Sequence, residues 1–331
     1  MITRRTILMA GALMATGAAA SDSQAQDLKK VVLVSSTAGV HAPFWVGIEK
    51  GFFKEAGFDA SWRQVASSTD RVAVVSSGDA VMAGTGAAGM VALMSQGNKN
   101  FYWVGIPDAA QDISGIVARE GINSLQDLKG KKLALQFGGS EEITDYLLLK
   151  AVGLDMYKDV QLVNLKQSEM IQALKQGLID AAGAWYPEYK RLQEIPGAKK
   201  IASVADLGFW EKYRQIPAPN TLVINRQFVD DDPAAAKRFL AAYWKAQQWV
   251  IDNRQEAAAI VAKVSKQSPE EWLAWETMSE RFTWKDQATQ LSDKGAYPIM
   301  DIMVSFMADT VKKIDNKPNY REWVRQDLIV E

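Results

Sequence analysis

The sequence predicts an α/β protein: parallel-rich sheets with helices on both faces, arranged as two lobes and followed by a helical tail. Three observations carry the prediction. Short β-branched runs alternate with segments of helical apolar period, which is the signature of a parallel sheet covered on both sides. The alternation starts a second time near residue 113, on a fresh set of elements. With 331 residues, 48% of them hydrophobic and 23% charged, the chain has material for more than one folding unit.

In order, "KKVVLVSS" reads as a strand and "APFWVGIEKGFFKEAG" as the helix it feeds. "FDASWRQV" is a second strand, and Ser67, Ser68 and Thr69 offer caps for the helix "DRVAVVSSG". "DAVMAG", "AAGMVALMSQG" and "NFYWVGIP" continue as strand, helix and strand. The second set runs "ISGIVARE", "SLQDLKG", "KKLALQF", "SEEITDYLLLKAVG", "VQLVNL", "EMIQALKQG" and "IDAAGAW". From "TLVINRQFV" onward the remainder reads almost wholly as helix. Asp232 before Pro233 and Ser268 before Pro269, with Glu271 three residues after the second cap, mark two helix starts. Trp244, Trp249, Trp272, Trp275 and Trp284, and the stripe Met300, Met303, Phe306 and Met307, are expected to be packing core rather than a ligand platform.

Residues 1–25 have the make-up of a cleaved export signal: Arg4-Arg5, an apolar stretch from Thr6 to Ala20, and the small-residue site Ser23-Gln24-Ala25. The mature start is placed near Gln26, with Ala20 as the alternative site. The stretch is too short, and too rich in Ala and Gly, for a membrane-spanning helix. Cysteine is absent, so neither a disulfide nor a lipid-bearing thiol is available. A freely diffusing protein of the bacterial periplasm is the expectation. A net charge of −1 without blocks of like charge argues against nucleic acid.

The residues of chemistry exclude more than they assign. His41 is the single histidine, no G-x-S-x-G elbow is present, and no second His or Cys exists to help hold zinc. No catalytic residues, metal site or cofactor are therefore assigned, and no enzymatic function is expected. Gly84-Thr85-Gly86-Ala87-Ala88-Gly89 fits the dinucleotide spacing G-x-G-x-x-G, with Asp108 about twenty residues on. It sits on the third strand-helix unit, however, and in a chain expected to be exported. Glycine-rich helix starts present free backbone N–H groups to any small anion, so a dinucleotide is not required.

Four stretches in order, "APFWVGIEKGFFKEAGFDASWRQVASSTDRVAVVSSGDAVMAGTGAAGMVALMSQG", "GINSLQDLKGKKLAL", "VQLVNLKQSEMIQALKQGLIDAAGAWYPEY" and "PAPNTLVINRQFV", resemble the taurine/aliphatic-sulfonate/nitrate group of ABC-importer substrate-binding proteins. That group also includes binders of thiamine pyrimidine precursors. The resemblance implies the two-lobed periplasmic-binding-protein fold of type II. Residues 27–116 would form the first part of lobe one and 117–220 lobe two. Residues 221–331 would return to lobe one and add the helical tail, with crossovers near 113–119 and 220–226.

The resemblance further implies a monomer that closes over a small organic solute and presents it to an ABC permease in the inner membrane. Carried over residue by residue, the ligand positions are Ser36, Thr37, His41, Ser67, Ser68, Thr85 and Ala87 in lobe one. Ser140, Glu141, Glu142, Trp185, Tyr186 and Asn220 complete the set. Taurine-type binders carry an acid where Asn220 stands, and Glu142 is expected to supply that charge here. Arg71 is expected on the solvent side of its helix. Taurine or a related organosulfonate is the expected solute. The alternatives are a nitrogen heterocycle such as a thiamine pyrimidine precursor, or, on the glycine motif alone, a nicotinamide-dependent dehydrogenase.

Overall fold

A computed structural model describes residues 28–265 and 267–328. The expected export signal, residues 1–25, lies outside them. Twelve strands appear: β1 Lys29–Ser35, β2 Phe58–Gln64, β3 Met82–Gly86, β4 Phe101–Gly105, β5 Asp108–Ala110, β6 Ser114–Ala118, β7 Lys132–Leu135, β8 Gln161–Asn164, β9 Ala181–Trp185, β10 Lys199–Ser203, β11 Asn220–Asn225 and β12 Ser279–Arg281. They form two five-stranded sheets, ordered β2-β1-β3-β11-β4 and β10-β6-β9-β7-β8, and a two-stranded sheet of β12 with β5.

In each large sheet four strands share one direction and the return strand runs antiparallel to its two neighbours. In the first sheet β11 lies between β3 and β4; in the second β6 lies between β9 and β10. The expected crossovers are therefore displaced. Residues 114–118 are strand β6 of the second sheet and 220–225 are β11 of the first, so the connecting segments fall just before each, at 106–113 and 204–219. The displacement has a simple cause: an apolar extended run reads alike whether it crosses between lobes or lies inside a sheet.

Period-2 burial puts a core on each face of each sheet. In the first sheet Val31, Leu33 and Met82 pack on one side with helices Ala42–Glu49 and Pro233–Asp252. Val34, Ala83 and Trp103 pack on the other with Ala87–Ser95 and Tyr297–Ser305. The second sheet buries Ile116, Leu133 and Leu135 under helix Ser140–Ala151, and Val117, Ala134 and Ala182 under Gln167–Lys175. Trp244 and Trp272 are buried, as are Met300, Met303, Phe306 and Met307, in keeping with a packing role.

The caps read from sequence form: Ser67 accepts from the Asp70 amide, Asp232 from Ala235, and Ser268 from Glu271 in a reciprocal box. The tail departs from wholly helical at β12, whose pairing with β5 ties Ser279 to Ala110 and Arg281 to Asp108. A three-residue strand supplies too little period to be seen without its partner.

Candidate functional site

The loops that leave β1 and β3 stand at the C-terminal strand ends of the first sheet, and those that leave β7 and β9 at the C-terminal strand ends of the second. Parallel sheets gather ligands at these strand ends, where helix starts leave backbone donors unpaired. Ser36 and Thr37 are half-buried in the loop after β1. His41 follows, buried, its ring parallel to Phe44 at 6.3 Å between centroids. A Cβ on Gly84 would collide with that ring. Burial, and then the nearby cations Arg71 and Arg281, hold the imidazole well below its usual range, so it is neutral at neutral pH.

Ser67 is exposed and caps its helix, whereas Ser68 is half-buried between that helix start and the end of β3. Ser68 Oγ accepts from Arg71 Nη2 at 2.8 Å and from the Gly86 amide at 3.3 Å. Both lone pairs of the hydroxyl are thereby used, and its own proton finds no acceptor among the described residues. Thr85 is fully buried and donates to the Ser68 carbonyl at 3.0 Å.

Arg71 corrects the sequence reading. It is 5% exposed, because its guanidinium donates to the carbonyls of Val65 (2.9 Å) and Ala66 (2.7 Å) as well as to Ser68. No carboxylate among the described residues forms an ion pair with it. Burial lowers its pKa to about 10, which leaves it charged at neutral pH.

The glycine motif is occupied by the protein itself. The Gly86 amide goes to Ser68 and the Ala87 amide to the Pro219 carbonyl at 3.0 Å, so the first two donors of this helix start are taken. Gly89 is required by packing: a Cβ there would stand 2.6 Å from the Ser68 carbonyl carbon. Gly84 and Gly89 thus let the other two lobe-one loops approach, which is a different use of the spacing from pyrophosphate binding.

On lobe two, Ser140 is exposed and donates to Glu141 Oε2 at 3.0 Å. Glu141 is buried, and its Oε1 has no hydrogen-bond partner among the described residues. Trp185 pairs in register with Ser114 and is half-buried, its ring beside Gly139 at the helix start. Glu142, expected to supply the missing charge, is already committed. It accepts from the Gly138 amide and from Lys313 Nζ, both at 2.7 Å, and from the Tyr157 hydroxyl at 3.3 Å. Tyr186 reaches the tail, its hydroxyl donating to the Glu271 carbonyl at 3.0 Å.

Asn220, the first residue of β11, donates to Asp108 Oδ1 at 3.1 Å and so ties the return strand to the first connecting segment. The carboxylate missing from position 220 therefore stands beside it, on β5. Burial pushes Asp108 up to about 7, against the pull of Arg281 and the Asn220 bond. Sequence reading noted Asp108 only as a ribose-binding candidate of the glycine motif. The connection to Asn220, 112 positions away, has no local signal.

Two α/β lobes joined by paired crossings, each a mixed sheet with helices on both sides, and a C-terminal tail on the first lobe define the periplasmic-binding-protein fold. The aliphatic sulphonate binding protein SsuA of Escherichia coli shares it with a TM-score of 0.74 and 17% identity, over 92% of this chain and 99% of that one. The chain belongs to the NMT1/THI5-like family, whose model matches residues 38–257. A protein of Brucella abortus named as a binding protein is 29% identical over 237 residues, 69% of this chain and 70% of that protein. One of Bacillus subtilis, named for binding aliphatic sulfonates, is 25% identical over 230 residues, 67% and 66% of the two chains.

Proposed function

We propose that the chain is the periplasmic solute-binding component of an ABC importer, closing over a compact zwitterion of the taurine type and releasing it unchanged. The first sheet with the tail acts as one jaw and the second sheet as the other, divided at the segments 106–113 and 204–219. Family membership and the sulfonate-binding relative support the class.

One observation carries the solute chemistry: the Ser68 hydroxyl, both lone pairs filled by Arg71 and Gly86, has only its proton left to give. It is a donor for a solute oxygen, backed by a buried guanidinium that makes no ion pair among the described residues. The opposite jaw offers Glu141, a buried acid without a cationic partner. A sulfonate at Ser68 and an ammonium at Glu141 satisfy both walls, and Trp185 covers the short carbon chain between them. A solute that touches both jaws binds the closed form better than the open one and shifts the population toward it.

Calorimetry on the mature protein tests this with taurine, ethanesulfonate, an aminopyrimidine and NAD. Taurine is expected to bind tightest. Ser68→Ala should weaken it roughly 10- to 100-fold, the loss of a hydrogen bond to a charged group. Glu141→Gln should weaken taurine but leave ethanesulfonate nearly unaffected. Binding of NAD alone, or conversion of any compound seen by NMR, overturns the reading.

A further inference from the structure

Asp145 lies one helical turn behind Glu141 on helix Ser140–Ala151, 0% exposed, with neither carboxyl oxygen bonded to any described residue. Together with Glu141 Oε1 that makes three fully buried acid oxygens without a partner. The backbone is arranged around them: β9 carries glycine at 183, and a Cβ there would collide with the Asp145 carboxyl. Residues four apart on a helix share a face, which here is the one turned to β6 and β9.

No described lysine or arginine pairs with either acid. Elements packed on this helix bring Ser114 from β6, Gly183 and Trp185 from β9, Asp206 from the 204–207 turn, and Tyr157 and Lys158 from Met156–Asp159. Of the charged and titratable groups on these elements, Asp206 accepts from the Ser203 amide, Tyr157 donates to Glu142, Lys158 pairs with Asp155, and Asp159 accepts from the Asp155 amide and pairs with Lys129. Two unpaired carboxylates in such surroundings would cost several kcal/mol each, so without solute the fold favours their protonated forms.

We propose that Glu141 and Asp145 form a proton-exchanging receptor: the solute's cationic group enters by displacing the Glu141 proton to solvent, while Asp145 keeps its own. Resting on the solute-binding reading above, this makes Asp145 a positioning residue and ties uptake of a cation to the ionisation of one acid. Burial, opposed by the Ser140 and Ser114 hydroxyls, pushes Glu141 up to about 7, and burial and then Glu141 push Asp145 further above its usual range. The exchange thus falls near neutrality.

The test has two arms. Infrared spectra of the solute-free protein near neutral pH should show buried protonated carboxyl bands, one lost in Glu141→Gln and another in Asp145→Asn. Taurine titrated calorimetrically in buffers of different ionisation enthalpy should release a fraction of a proton near neutrality and close to one below it. Its affinity should fall about tenfold per pH unit on the acid side. Glu141→Gln should abolish the release, and Asp145→Asn should retain it. Missing carboxyl bands, or tight taurine binding without proton release, overturns the proposal and leaves the transport reading intact. Bands present with no binding of taurine at any pH overturn the reading, and the exchange with it.

Discussion

At the scale of the residue, burial decides what each polar group can do, and burial is what a sequence displays least. Arg71 on a helix of nine residues looks solvent-facing until the loop at 65–68 folds back over its guanidinium. Glu141 and Glu142 are adjacent and alike in sequence, yet one is bonded to a lysine 171 positions away and the other to none. Ser36, His41, Ser68 and Trp185 were legible as strand-end positions. The acids Asp108 and Asp145 were not, since their roles depend on partners or gaps contributed by distant strands. Asp145 gives a prediction of its own. An acid held protonated by the fold binds more protons native than unfolded, so stability falls as pH rises from the ordinary carboxyl range through the raised one. Asp145→Asn removes that loss and is expected to melt several degrees higher than the parent near pH 8, with the gap closing toward about pH 4. Melting curves at the two pH values check it.

Among elements, the strands and helices with full amphipathic period were visible from their own residues, and their caps formed as read. What could not be read was pairing: β5 and β12 have three residues each, and the return strands β6 and β11 resemble connectors until their neighbours are known. The glycine loop makes the same point. Its spacing matched a nucleotide motif, while its backbone donors are spent on Ser68 and Pro219. Gly89→Ala should press its methyl into the Ser68 backbone, costing about 1–3 kcal/mol in urea unfolding and loosening taurine through displacement of Ser68. Gly51→Ala serves as the comparison: a Cβ there meets no neighbour within 4 Å and the position is strained only by its φ of 77°, so stability should drop with solute affinity unchanged.

For the whole molecule, lobe two is fastened to the tail at separate points. Tyr186 and Arg191 meet Glu271, the latter pair at 3.0 Å, while Glu142 meets Lys313 and Tyr146 packs on Phe306 at 5.1 Å between centroids. Partly exposed ion pairs contribute roughly 0–1 kcal/mol, too little to move the melting point much. The same energy is large against an open–closed balance of a few kcal/mol. Lys313→Met is expected to leave unfolding nearly unchanged, enlarge the radius of gyration of the solute-free protein in X-ray scattering, and weaken taurine several-fold. An unchanged scattering profile would mean that the connecting segments alone set the closed shape.

The small sheet has a consequence in time. Asp108 is made early and its partner Arg281 late, so the β5–β12 pair closes only when residues 279–281 have left the ribosome. Both large sheets draw their strands from residues 29–225 and can pair before that; the small sheet waits for the tail and is the last to form.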